Sequence, residues 1–222
     1  MVLNWKIALR AFAFTLALPC NLQADEAGTV RVVDGDTIEV EGTVYRINGI
    51  DAPEYGQKCG AADATWQCGK EALALMTELV EGREVRCEAI EPDGYGRVVG
   101  TCYAGNLDIG SEIVRQGLAW AFVRYSTVYV DVESDARQAG RNIWSGPAQP
   151  AWDYRAARWE VEEQQAPDGC PIKGNISRNG MIYHPPWSPW YSRTKIDIAR
   201  GERWFCSEAE AVAAGWRAPS WR

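Results

Sequence analysis

Between residues 32 and 54 the chain reads VVDGDTIEVEGTVYRINGIDAPE, whose carboxylates include Asp34, Asp36, Asp51 and Glu54, with Arg46 among them. Such a set can be the solvated face of a short β-structure. It can also be half of an active site. Two aspartates, Asp36 and Asp51, plus a backbone carbonyl make a hard, all-oxygen site suited to Ca²⁺ or Mg²⁺. Glu54, three residues past Asp51 and behind Pro53, can line the same cleft as a general base for water. Arg46 and the later Arg97 suit a phosphate, because a guanidinium fork matches phosphate oxygens. Together they can stabilise the charge that develops on a five-coordinate phosphorus.

The rest of the composition narrows the chemistry. His184 is the sole histidine. That excludes a Ser-His-Asp triad, a two-histidine acid–base site and a multi-histidine metal site. In "IYHPP" it reads as structural. The formal net charge is −7, so no global field steers the protein toward a polyanion. Any polyanionic substrate must be held by a local set of arginines and metal.

The first 24 residues carry Lys6 and Arg10, no acid, and an apolar run up to about Pro19. This is the pattern of a secretory leader ending near Ala24. The run is short for a membrane span, an uncleaved anchor being the other reading. Loss of residues 1–24 takes the net charge from −7 to −9, because two cations and no anion depart. Six cysteines then remain: Cys59, Cys68, Cys87, Cys102, Cys170 and Cys206. An even count in an exported chain reads as disulfides, and sequence neighbours are the expected pairs, 59–68, 87–102 and 170–206. Zinc fits poorly, since no CxxC occurs.

These residues need elements to position them. "TVRVVDGDTIEVEGTVYRINGI" alternates apolar and polar residues and carries turns at Asp34-Gly35 and Glu41-Gly42, so three antiparallel strands are predicted. "CGKEALALMTELVEG" places Ala72, Leu75, Met76 and Leu79 at helical spacing and ends at Gly82. "REVRCEAI" and "RVVGTCYA" read as adjacent strands around an "EPDGYG" turn. "DIGSEIVRQG" and "DVESDARQAGRNIW" read as two further helices, the second weakened by Gly140. A five-stranded Greek-key barrel of the OB type, with three helices, accommodates this order. "PAWDYRAARWEVEEQQ" reads as a charged, solvated helix, followed by an "APDG" linker.

The run VVDGDTIEV, YRINGIDAPE, GKEAL, DGYGR, VRQGLAW and NIWS resembles the staphylococcal-nuclease-like (thermonuclease) family over about residues 28–146. The resemblance implies an OB barrel, one Ca²⁺ ion, and hydrolysis of DNA and RNA by in-line attack of water, leaving 3′-phosphate ends. By position, Asp36 and Asp51 match the family's metal aspartates. Ala52 stands where the prototype has a threonine whose carbonyl ligates the metal, a group alanine retains. Glu54 matches the general base, and Arg46 and Arg97 match the phosphate-binding arginines. Tyr95 matches a nucleotide-phosphate contact, and Tyr125 a base-pocket tyrosine. Gly94 and Val123 depart from the pattern, replacing a lysine and a tyrosine. The insertion "QKCGAADATWQC" beside Glu54 is expected to stiffen the site or reshape the substrate groove.

Beyond residues 147–169, a helix and linker, residues 170–222 change character. They are aromatic-rich, with "HPPWSPW" and a short helix "SEAEAVAAG" capped by Ser207. They read as a small disulfide-stapled α+β module, or as an extension wrapped on the barrel. The module is distantly similar to the metal-binding domain of the adaptive-response alkylation-repair protein. "PPWSPW" and "APSWR" lack the cysteines that hold zinc there, so a disulfide-stapled remnant is expected. Trp187, Trp190, Tyr191 and Trp204 suit either stacking on bases or a small aromatic core. The expected protein is a secreted or periplasmic monomer without stable membrane insertion, with DNA and RNA as substrates. The rival from another class is a non-catalytic OB binding module in envelope or exopolysaccharide assembly.

Overall fold

A computed structural model describes residues 30–219. The expected leader, residues 1–24, lies outside the described residues. Strands β1 (Val30–Asp34), β2 (Thr37–Val40) and β3 (Thr43–Ile47) form the predicted antiparallel meander. Period-two alternation turns Ile38 and Val40 inward. After the short β4 (Ile50–Asp51) comes α1 (Cys68–Val80), which buries Ala72, Met76, Leu79 and Val80 on one stripe.

Strands β5 (Val85–Pro92) and β6 (Val98–Ala104) make the predicted hairpin, with Cys87 opposite Cys102. The sheet runs β1-β2-β3-β6-β5, and the β3–β6 pair is parallel. The short β7 (Leu107–Asp108) leads into α2 (Ile109–Arg115), capped by the Asp108 carboxylate accepting from the Ser111 N–H. The short β8 (Trp120–Ala121) pairs with β4, setting Asp51 opposite Trp120. Helix α3 (Val130–Gln138) ends before Gly140, which takes a left-handed conformation that stops the helix. The predicted helix through Trp144 is therefore two pieces, with a short 3₁₀ turn at Asn142–Trp144. This is the OB-type arrangement expected, with α1, α2 and α3 packed on a mainly β core.

Helix α4 (Ala151–Glu163) follows. The C-terminal sheet has the order β10-β9-β11, from β9 (Ile172–Ser177), β10 (Gly180–His184) and β11 (Arg203–Phe205). Helix α5 (Glu208–Ala213) starts at Ser207, whose hydroxyl accepts from the Glu210 N–H. A separate apolar cluster of Ile172, Tyr183, Phe205, Ala211 and Trp216 holds this piece together. The disulfides are Cys59–Cys68, Cys87–Cys102 and Cys170–Cys206, the three expected pairs. No helix among the described residues is long and apolar enough to cross a membrane.

Candidate active site

The DGDT turn between β1 and β2 presses its backbone against the loop after β4. A Cβ on Gly35 would sit 2.9 Å from the Cβ atoms of both Ala52 and Ala72, so a larger residue would force the turn away from the loop and from α1. This close approach brings Asp36 onto Ala52, whose N–H donates to Asp36 Oδ2 at 3.0 Å. Arg46, projecting from β3, lies across both aspartates. It pairs with Asp36 through Nη1 and donates from Nη2 to Asp51 Oδ1 at 2.7 Å.

Glu54 follows in a tight turn, with the Gln57 N–H donating to the Glu54 carbonyl at 2.7 Å. Gln57, fully buried, braces that turn. Its Oε1 accepts from the Glu54 N–H at 3.1 Å, and its Nε2 donates to the Gln149 carbonyl at 2.6 Å. Beneath lies the start of α1, where a Cβ on Gly69 would fall 1.8 Å from the Glu54 carbonyl oxygen. The Cys59–Cys68 bridge joins the loop to that same helix start. The insertion thus forms the seat of the Glu54 turn.

The last member comes from outside the barrel. Arg155, on α4, donates from Nη1 to Asp51 Oδ1 at 3.0 Å and to Glu54 Oε1 at 2.8 Å, and from Nη2 to Asp51 Oδ2 at 2.8 Å. Helix α4 is therefore not simply solvated, as its composition suggests. Trp152 stacks on Phe122, with centroids 5.3 Å apart and planes 8° from parallel, and meets the edge of Trp120 at 6.1 Å. Trp159 lies against Trp187 at 6.3 Å. Residues 152, 155 and 159 share one helical face, so docking of the tryptophans carries Arg155 inward. The signal was present as an arginine between two tryptophans at i, i+3, i+7 spacing. A charged helix with no second clue does not say where that face docks.

Electrostatics follow from the packing. Burial pushes the Asp36 carboxyl up to about 6, against the pull of Arg46 and with help from neighbouring Asp34. Burial likewise lifts Glu54 to about 7, although Arg155 works to lower it. Burial opposes the charge on Arg46 and Arg155, but the facing carboxylates outweigh it and hold both guanidiniums protonated. Asp36, Asp51 and Glu54 pair with Arg46 and Arg155, and Asp34 stands beside Asp36; with all four carboxyls ionised the group carries an excess of two negative charges.

That excess suits one divalent cation, and the donor set agrees. Asp36 accepts from Thr37 and Arg46 on Oδ1 and from the Ala52 N–H on Oδ2. Asp51 accepts from Arg46 and Arg155 on Oδ1 and from Arg155 on Oδ2. A carboxylate has about four acceptor positions, so Oδ2 of each retains room for a further partner. Side chains alone do not complete a shell: among the described residues no cluster of three or more His, Cys, Asp or Glu has metal-site geometry. The balance would come from the Ala52 carbonyl, water and substrate oxygens.

A cleft of about 1020 Å³ opens beside these groups. Arg46, Glu54 and Arg155 line it, as do Tyr95, Arg97 and Tyr125. Arg97 does not bond to the carboxylate cluster. It pairs with Asp93 at 2.7 Å, and Asp93 also accepts the N–H groups of Tyr95 and Arg97, which shapes the β5–β6 turn. Tyr125 is 68% exposed and meets the Phe122 ring edge at 5.0 Å. The C-terminal piece forms part of the cleft wall through Tyr183, Trp187 and Trp216. Its α5 reaches the β5–β6 turn, where a Cβ on Gly96 would stand 3.3 Å from Val212. Of the four aromatics in the 187–204 stretch, Trp187 lines the cleft. Tyr191 is buried, donating to the Pro171 carbonyl at 2.6 Å. His184 is buried, with its ring nitrogens 3.2 Å from Ser188 Oγ and Asn175 Oδ1.

A family model described as "Staphylococcal nuclease homologue" matches residues 44–146. A second, described as ArfC, matches residues 153–218, a range that includes Arg155 and the C-terminal sheet. The chain is 37% identical over 138 residues to the succinoglycan biosynthesis protein ExoI of Rhizobium meliloti, covering 59% of this chain and 71% of that protein. It is 35% identical over 158 residues to an uncharacterized endonuclease of Escherichia coli, covering 67% and 95%. It is 33% identical over 171 residues to a micrococcal nuclease of Shigella flexneri, covering 68% and 93%.

Proposed function

This chain belongs to the staphylococcal nuclease homologue family, and we propose that it is an exported, Ca²⁺-dependent nuclease that hydrolyses DNA and RNA and leaves 3′-phosphate ends. The observation that carries this reading is the meeting of Asp36 and Asp51 across Arg46, with Glu54 beside them on a cleft. Asp36, Asp51 and the Ala52 carbonyl would hold the cation, which supplies Lewis-acid polarisation of a phosphoryl oxygen when bound. Glu54 takes a proton from the attacking water, a task suited to a carboxyl raised toward neutrality. Arg46 and Arg97 grip the phosphate and stabilise the charge on its equatorial oxygens. Tyr95 and Tyr125 bind the nucleotide along the cleft. Three disulfides fit an oxidising compartment, in line with the leader pattern.

The relative named for succinoglycan biosynthesis favours a second reading, an accessory role in exopolysaccharide assembly without turnover. Digestion of plasmid DNA and of RNA by the oxidised, leader-free protein separates the two. Ca²⁺-dependent cleavage, abolished by EGTA and by Glu54→Gln, is the expected result. No cleavage by folded, disulfide-intact protein would favour the accessory role.

A further inference from the structure

We propose that Arg155 is a positioning residue of this site: it fixes the carboxylates of Asp51 and Glu54 relative to one another, so that the helix appended to the nuclease-like barrel completes the active centre. The proposal rests on the nuclease reading for its kinetic consequence and on geometry for the rest.

Arg155 differs from an ordinary surface ion pair, which contributes little. Its side chain is 22% exposed, and that of Asp51 is fully buried. The guanidinium grips Asp51 through two nitrogens, and Nη1 is shared with Glu54. One nitrogen bonded to both carboxylates holds their nearest oxygens within about 6 Å of each other. Such a restraint matters because Asp51 and Glu54 have different backbone supports. Asp51 sits in β4, paired to β8, whereas Glu54 sits in a turn. A carboxylate on a turn is positioned less sharply than one on a strand unless a second contact fixes its rotamer. Arg155 provides that contact, and Phe122 and Trp152 fix the helix that carries it.

The residue also sets the local charge. Arg155 is one of two cations paired with three carboxylates, Asp36, Asp51 and Glu54, close to where a metal ion would be held. Its removal deepens the negative potential at Asp36 and Asp51, which favours a cation. It also frees Glu54, which disfavours chemistry. The two effects move in opposite directions, unlike those of a substitution that merely loosens the fold.

The test uses the full, disulfide-intact chain as wild type, Arg155→Gln and Arg155→Lys. Calorimetry reads Ca²⁺ binding without nucleic acid. Steady-state kinetics on a single-stranded oligonucleotide at saturating Ca²⁺ reads kcat and KM separately. For Arg155→Gln, Ca²⁺ should bind several-fold more tightly, while kcat falls about 10- to 100-fold and KM stays within about threefold. Arg155→Lys keeps the charge but not the fork, so Ca²⁺ affinity should stay near wild type while kcat remains low. Wild-type kcat in Arg155→Gln, or a loss carried by KM, would overturn the proposal. So would weaker Ca²⁺ binding together with lower kcat, the mark of a purely structural residue. If the wild type shows no turnover, the nuclease reading fails. The calcium arm then decides on Arg155: tighter binding in the glutamine variant with wild-type affinity in the lysine variant supports it, and no change in either refutes it.

Discussion

Arg155 Nη1 lies 2.8 Å from Glu54 Oε1, joining residues 101 positions apart in the chain. A side chain beyond the matched nuclease domain thereby meets the carboxylate proposed as general base. The seat of Glu54, the dock of α4 and the staple of the C-terminal piece should each leave a measurable trace.

The turn that carries Glu54 rests on a position where only glycine fits. A methyl group at Gly69 would come 1.8 Å from the Glu54 carbonyl, so Gly69→Ala must push the turn away from α1. Overpacking of this kind costs about 1–3 kcal/mol. Urea unfolding should show that loss, and cleavage should fall further than stability alone explains. Gly146→Ala, where nothing lies within 4 Å of an added Cβ, should leave both near wild type.

Trp152 sets the depth of Arg155. Removing it deletes the stack on Phe122 and the edge contact with Trp120, at a cost of about 3 kcal/mol. Trp152→Phe should keep much of the stack. In chemical denaturation the alanine variant should unfold at lower urea. Its kcat should drop alongside that of Arg155→Gln, while the phenylalanine variant retains most of its rate.

His184 predicts how the C-terminal piece responds to acid. Burial, with a smaller contribution from Lys173, depresses its pKa to about 4 in the folded protein, against about 6.5 unfolded. Above pH 6.5 both states are neutral and the residue contributes nothing to pH dependence. As pH falls from 6.5 toward 4, only the unfolded chain takes up the proton, so stability declines, by up to about 3 kcal/mol. Because the raised carboxyls of Asp36 and Glu54 act in the opposite direction over this window, the His184 contribution is read as the difference between wild-type and His184→Gln thermal melts. His184→Gln should remove that contribution whatever its own baseline stability.

The Cys170–Cys206 bridge spans 36 residues and closes the small C-terminal cluster. A loop of that size corresponds to about 4 kcal/mol of chain entropy withheld from the unfolded state. Replacing both cysteines by serine should lower the melting temperature of this piece, read by near-UV circular dichroism of its tryptophans. The barrel, which has its own two bridges, should melt close to its original temperature.

Local chemistry made much of this protein legible. Alternation in residues 30–47 set the meander, apolar spacing set α1, and the two strands around "EPDGYG" placed Cys87 opposite Cys102. The types and spacing of Asp36, Arg46, Asp51 and Glu54 announced a cluster, because turns and short strands keep near neighbours together. Arg155 was not legible. An arginine on a charged helix is most often solvated, and what buries this one is a stack between Trp152 and Phe122 that no local pattern encodes. Nor could the chain order show that Gly35 must touch Ala52 and Ala72, or that Gln57 braces the Glu54 turn from within. Propensity and periodicity act over a few residues, whereas these contacts depend on how separate elements close around a shared core. Residue types could be read from neighbours along the chain; their partners were settled by non-local packing.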